Sequence, residues 1–405
     1  MNSADTAFIM IASALVMFMT PGLGLFYAGL TRSKNALGTI MHSFAALGIV
    51  TLVWVLWGYT LAFGNDIGGI VGGLNFLGLA GVGPEPNPDI AGNIPHLLFM
   101  IFQCMFAIIT VALISGAFAE RMKFGAFVLF SVLWATLVYS PLCHWVWGGG
   151  WMGAMGALDF AGGAVVHMSS GSAALAAAVV VGKRKGYGQR AFIPHNLPMT
   201  ITGASLLWFG WFGFNAGSSL AADGLAANAF VVTHIAASLA ALGWLVVEKI
   251  HRGKATTLGA ASGAVAGLVA ITPAAGFVGP LSSLVLGFLA GVICYAGVLL
   301  KARFGYDDAL DVVGIHGFGG IWGALATGLF ASTAVNPGGA NGLFFGNPGQ
   351  FGIQLVSVVA TCAFVFVASY VLLKIVDAVM GLRITPEEEE QGLDLSQHNE
   401  TGYEW

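Results

Sequence analysis

All fifteen lysines and arginines of this chain fall after odd-numbered members of a series of apolar stretches. The stretches are 8–30, 36–63, 97–118, 124–143, 164–181, 197–216, 225–247, 258–277, 281–300, 312–330 and 351–376. Each approaches the roughly 20 residues that an apolar helix needs to cross a bilayer. Arg32 and Lys34 follow the first, Arg121 and Lys123 the third, and Lys183, Arg184, Lys185 and Arg190 the fifth. Lys249, Arg252 and Lys254 follow the seventh, Lys301 and Arg303 the ninth, and Lys374 and Arg383 lie at or beyond the end of the eleventh. Because cytoplasmic loops hold the excess of Lys and Arg, this alternation predicts an all-α polytopic membrane protein with eleven transmembrane helices, N-terminus outside and C-terminus inside. Composition agrees: 57% of residues are hydrophobic and 8% charged, against about a quarter charged in soluble domains. The first seven residues hold Asp5 and no Lys or Arg, so no cleavable signal is expected.

Stretches one to five and six to ten are equal in number, and five is odd. The second set must enter from the opposite side, which is an inverted 5+5 repeat with one extra helix. The fifth and tenth members share a pattern. His167 lies eight residues after Asp159, and His316 eight residues after Asp308. A titratable group in a bilayer costs several kcal/mol unless it has a partner or faces a cavity. At about 1.5 Å per helical residue, each ring lies roughly 12 Å along from its aspartate. Approached from opposite faces, those depths bring the two rings near the middle of the membrane. A lone buried histidine is more often structural, and His42, His96, His144, His195, His234, His251 and His398 keep that reading. The paired pattern reverses it for His167 and His316.

Two segments expected near the outer surface mix aromatics with glycine: the loop 144–163, holding Trp145, Trp147 and Trp151, and 208–218, ending in Ser218. An aromatic belt at the membrane surface accounts for most such tryptophans, Trp145 and Trp151 included. Interrupting glycines and a terminal serine fit a lined vestibule better, and an aromatic face attracts a cation. Cys104, Cys143, Cys294 and Cys362 have neither metal-site nor disulfide spacing. No metal, cofactor or nucleic acid is expected.

At these segments the chain resembles the ammonium transporter family (Amt, with its Mep and Rh relatives), in its bacterial or archaeal form. The matching motifs are Met19-Thr20-Pro21-Gly22-Leu23, Leu25-Phe26-Tyr27-Ala28-Gly29-Leu30, Phe102-Gln103-Cys104-Met105-Phe106-Ala107 and Val146-Trp147-Gly148-Gly149-Gly150. Gly156 to Gly163 continuing to His167, Gly210 to Ser218, Asp311 to Gly317 and the tail Gly392-Leu393-Asp394 complete the series. The resemblance implies a homotrimer in the cell (inner) membrane, with one ammonium pore per subunit and a place in nitrogen metabolism. Residues 1–380 then form the transporter domain and 381–405 a cytoplasmic regulatory tail, with a P-II signalling protein as partner. Carried over by motif, Trp147, Phe106 and Ser218 resemble an outer ammonium-binding site, and Phe106 with Phe214 a phenyl gate below it. His167 and His316 resemble twin pore histidines, and Asp159 the aspartate supporting the outer site. In the tail, His398-Asn399-Glu400 replaces the usual His-Gly-Glu.

These residues suit one chemistry. Aromatic faces and a hydroxyl oxygen hold a small cation with four donors, ammonium or its analogue methylammonium. The ion then meets an apolar lumen where unpaired charge is very costly, so neutral ammonia, alone or with a separately moved proton, is the species expected to pass. Asp159 also suits capping of the helix that follows it. Glu387 to Glu390 read as a solvated run, and the loop 182–188 as a surface for anionic lipid. An enzymatic reading, pairing His167 with Ser169, Ser170 or Ser172, leaves His316 without a role and lacks a Gly-x-Ser-x-Gly elbow. The runner-up is an ammonium sensor with little flux.

Overall fold

The computed structural model describes residues 1–403; residues 404 and 405, the end of the predicted tail, lie outside the described residues. A helix falls on each predicted stretch. We label them α1 (Ser3–Leu30), α2 (Ser33–Phe63), α3 (His96–Phe118), α4 (Phe124–Ala154, broken at 148–150) and α5 (Gly163–Val181). There follow α6 (Leu197–Gly217), α7 (Gly224–Arg252), α8 (Thr257–Ile271), α9 (Pro280–Phe304), α10 (Val313–Phe330) and α11 (Pro348–Met380). Among the described residues nine of these are long and apolar enough to cross a membrane; α6 and α8 are not in that set.

The boundaries have local causes. Asn2 opens α1 by accepting from the amides of Ala4 and Asp5. The predicted stretch 258–277 ends early, at Ile271, because Pro273 has no amide to continue the ladder. The stretch 124–143 runs on as helix to Trp147, so His144 and Trp147 stand on a helix and not in a loop. Four helices contain a π-helical turn: Trp54–Gly58, Ala135–Tyr139, Gly163–Met168 and Val313–Gly317. Hydropathy does not register the extra residue in such a turn, which is often placed at a functional site.

Small residues set the packing. α1 lies along α6, where a methyl on Gly203 would come 2.3 Å from the Phe26 amide. α5 crosses α10 where a methyl on Gly171 would come 2.3 Å from both N and Cα of Gly317. Only glycine permits that approach, and it brings together the turns that carry His167 and His316.

The basic side is held by buried charge. Glu120 takes Arg32 at 3.0 Å and Arg184 at 3.2 Å, and accepts from Asn35 Nδ2 at 3.1 Å. Burial would raise its carboxyl, but the two guanidinium groups outweigh that and hold it below the usual range. Arg184 also pairs with Asp307 at 2.8 Å. It is thereby buried, so of the basic residues in loop 182–188 only Lys183 and Lys185 face outward.

The acidic tail is folded against the protein: of the run read as solvated, Glu387 and Glu390 stay exposed and Glu389 is buried. The tail forms two short helices, α12 (Pro386–Gln391) and α13 (Leu393–His398). Glu389 is 2% exposed, accepts from the Lys185 amide at 2.7 Å and pairs with Arg383 at 2.7 Å. Asp394 accepts from the amides of Leu37 and Gly38 at the start of α2. The Asn399 departure has a backbone reason: it takes φ +53, a left-handed conformation that glycine and asparagine both tolerate.

Candidate functional site

On the side opposite the basic loops, a cavity of about 200 Å³ is lined by Phe99, Gln103, Phe106, Trp147, Phe160 and Ser218 among others. Its polar groups are oriented. The Trp147 indole N–H donates to the Asp159 carbonyl at 2.9 Å, which pins the ring. The Ser218 hydroxyl donates to the Phe214 carbonyl at 2.8 Å, so its own lone pairs remain for a donor in the cavity. Gln103 Oε1 is a buried acceptor without a partner among the described residues.

Below the cavity the rings are stacked in series. Phe106 meets Trp147 edge-on, with centroids 6.1 Å apart. Phe106 and Phe214 follow at 4.2 Å, and both are at most 1% exposed. They close the cavity floor. Phe214 lies over the His167 ring at 6.1 Å and Trp211 over it at 5.4 Å. His167 Nδ1 and His316 Nδ1 are 3.3 Å apart. The space beside them, walled by Met19, Leu23, Leu113, Leu207 and Val265, amounts to about 10 Å³, room for about one water-sized molecule.

The histidine contact constrains the protons. A 3.3 Å Nδ1 to Nδ1 contact between neutral rings needs one Nδ1–H and one lone pair. The donor ring then exposes a lone pair at Nε2 and its partner an N–H at Nε2. His167 Nε2 is buried without a partner among the described residues. The pair thus offers one acceptor and one donor to a small guest.

Each of the two π-helical turns that carry His167 and His316 is capped by its aspartate. Asp159 accepts from the amides of Gly162 (2.8 Å), Gly163 (2.6 Å), Ala164 (2.7 Å) and Val165 (3.4 Å). Asp308 accepts from the Val313 amide at 2.8 Å. The structure therefore brings Phe106, Trp147, Ser218, Phe214, His167 and His316 into one column, with Asp159 behind it as a cap. Two members of the column escaped the sequence reading. Trp211 belonged to a segment read as lying near the surface, yet it is 2% exposed against His167. Gln103 belonged to a motif with no spacing to give it a role. The helical period was the usable signal for Trp211, which stands three residues before Phe214.

Membrane-crossing helices around an aromatic cavity stacked on a buried histidine pair define a multi-pass membrane transport protein, not an enzyme. The chain belongs to the ammonium transporter family: the family model described as Ammonium Transporter Family matches residues 7–403. It is 57% identical to the ammonium transporter of Bacillus subtilis (strain 168), over 100% of this chain and 99% of that one. It is 50% identical to ammonium transporter Amt1 of Archaeoglobus fulgidus, over the whole of both. Among solved structures it resembles Saccharomyces cerevisiae Mep2, with TM-score 0.90 and 37% identity over 96% of this chain and 89% of that one. A structure described as a sensor Amt protein matches with TM-score 0.89 and 28% identity over 98% of each chain.

Proposed function

We propose that this chain recruits ammonium at the Trp147–Phe106–Ser218 cavity, strips its proton and passes ammonia between His167 and His316. The observation that carries the reading is the unbroken column from the aromatic cavity through Phe106 and Phe214 to the two rings. The π faces and the Ser218 lone pairs favour a cation with hydrogens to donate over potassium, which has none. Past the phenyl pair the walls are apolar and the free space is about one water, so a bare ion loses its hydration with nothing to replace it. The Nε2 acceptor and donor of the histidine pair then suit ammonia or a transient proton.

In this reading the eleven helices all cross, as an inverted 5+5 repeat plus one. The Trp147 side is outside and the basic side is cytoplasmic. The protein works as a homotrimer in the cell membrane, and methylammonium serves as a substrate analogue. Ammonium jumps on proteoliposomes test the function: a transient current that potassium does not evoke supports it. Absence of current, together with absence of ammonia-driven pH change inside the vesicles, would favour the sensor reading.

The sensor reading has its own support, in the match to a sensor Amt structure and in a tail bonded to the pore-domain loops. As a regulatory element the tail docks a P-II-type protein on the basic side. Deleting residues 384–405 should leave assembly intact and alter both the current and its inhibition by added P-II protein. Equal current and equal inhibition in the two forms would contradict it.

A further inference from the structure

Trp147 stands at the end of a helical turn whose anchor is His144. After α2 the chain turns at Ala62 to Asp66 into a small hairpin, Asp66–Ile67 against Val71–Gly72. His144 Nδ1 is 2.9 Å from the Ala62 carbonyl, and its Nε2 is 2.8 Å from Asp66 Oδ1. The His144 side chain is 0% exposed and that of Asp66 is 44% exposed. A carbonyl only accepts. Asp66 faces solvent, where a carboxyl is ionised at neutral pH, so it also only accepts. A neutral imidazole has a single N–H and satisfies one of these two acceptors. Both bonds together require two N–H groups, which is the imidazolium.

Two further facts agree. His144 lies in the last turn of its helical segment, Ser140–Trp147, where the helix dipole favours a cation. Its carbonyl accepts from the amides of both Gly148 and Gly150, which ends the helix directly after Trp147. The hairpin then grips either side of Trp147. Trp145 Nε1 donates to Ile70 O at 2.8 Å, and the Trp151 amide to Gly69 O at 3.0 Å. There is no slack: a methyl on Gly148 would come 1.9 Å from Ala62 O and 2.6 Å from His144 Nδ1.

We propose that His144 is a positioning residue held as a buried imidazolium by Asp66, and that this clamp sets the Trp147 indole over the cavity. The inference rests on the reading of Trp147 as a recruiting residue. The pair is neutral overall, so it adds no field against an incoming cation. Its effect falls on capture, not on passage.

The test uses ammonium-evoked currents in proteoliposomes of the full chain. Asp66→Ala should raise the half-saturating ammonium concentration about three- to tenfold, the scale of one ordinary net hydrogen bond, because only part of the lost bond is felt at Trp147. The saturated current should stay within about twofold of wild type. Asp66→Asn, which can still donate to a neutral ring, should show a smaller rise. Glu85→Gln, which removes another exposed carboxylate on the same side, should change neither value. Combined with Trp147→Leu, Asp66→Ala should add nothing. An unchanged half-saturation in Trp147→Leu overturns the recruiting reading. A raised value there with an unchanged value in Asp66→Ala overturns the clamp alone, as does a loss of saturated current without a shift in half-saturation. A second readout needs no variant that alters folding. Nitrogen-15 spectra of the histidine-labelled protein at neutral pH should contain one ring with both nitrogens protonated, which becomes singly protonated in Asp66→Asn. Spectra in which every ring carries an unprotonated nitrogen would overturn the proposal.

Discussion

The two histidine turns share a pattern and differ in what holds them. Asp159 caps its turn with four backbone amides, and its carbonyl pins Trp147. Asp308 caps its turn less fully, through the Val313 amide at 2.8 Å with a weaker contribution from that of Val312, and its Oδ1 has no partner among the described residues. Around Asp308 the work is done by charge: Lys301 donates to its carbonyl and pairs with Asp311, while Asp307 holds Arg184. One turn is thus fixed by the backbone beside the aromatic cavity. The other is fixed by ion pairs that continue through Arg184 and Glu120 to Asn35, and from Asn35 Oδ1 to the Leu393 amide of the tail. A common spacing specifies that a turn is capped; the neighbours decide whether the cap backs the aromatic cavity or the charged network that reaches the tail.

The largest test of that contrast is removal of each cap. Asp159→Ala leaves four amides without an acceptor, at about 1–3 kcal/mol for each that stays buried. Ammonium-evoked current should fall to the background, with a marked loss of melting temperature in detergent. Asp308→Ala strands chiefly the Val313 amide, so a smaller loss of about 1–3 kcal/mol is expected and current should persist in part. Equal losses in the two variants would erase the distinction.

A smaller effect isolates the cavity side. Trp147→Leu removes the pinned π face, worth about 0.5–2 kcal/mol, and should raise half-saturating methylammonium or ammonium about two- to thirtyfold. An unchanged value would place recruitment elsewhere.

The smallest effect concerns pH on the charged side. Burial, opposed by Lys301 and reinforced by Asp311, pushes the Asp308 carboxyl up to about 6, against about 3.9 in an unfolded chain. Between those values the folded protein holds a proton that the unfolded chain has released, so wild-type stability falls as pH rises through about 4 to 6. Asp308→Asn removes that dependence. Its melting temperature relative to wild type should climb across the window and level off above it. A difference independent of pH would show that Asp308 does not titrate there.

Sequence reasoning reached most of this because lipid imposes few options. Apolar length and the Lys/Arg bias locate a helix on every predicted stretch, and the Asp-x7-His pattern brings out the two rings that meet. The misses have physical causes. The stretch 258–277 looked like one span because hydropathy ignores the missing amide of Pro273. The expected stretch of about 12 Å of helix from each aspartate to its histidine is not there: residues 159–162 and 308–311 are not helical and the rest is mostly a π-helical turn, neither of which leaves a mark in composition. Trp211 looked interfacial because an aromatic beside glycine is ambiguous until the packing of α6 on α1 turns it inward. Glu389 looked solvated because burial of an acid depends on Arg383 and on the Lys185 amide, which lies about two hundred residues away in sequence.

The central claim is that His167 and His316 act as one proton-sharing pair in a pore. It is tested most directly by recording ammonium- and potassium-evoked currents from His167→Ala and His316→Ala in proteoliposomes. Each single replacement removes the 3.3 Å Nδ1 contact. The account predicts that each either abolishes the ammonium current or loses the preference for ammonium over potassium. Wild-type current and wild-type selectivity in both variants would contradict it.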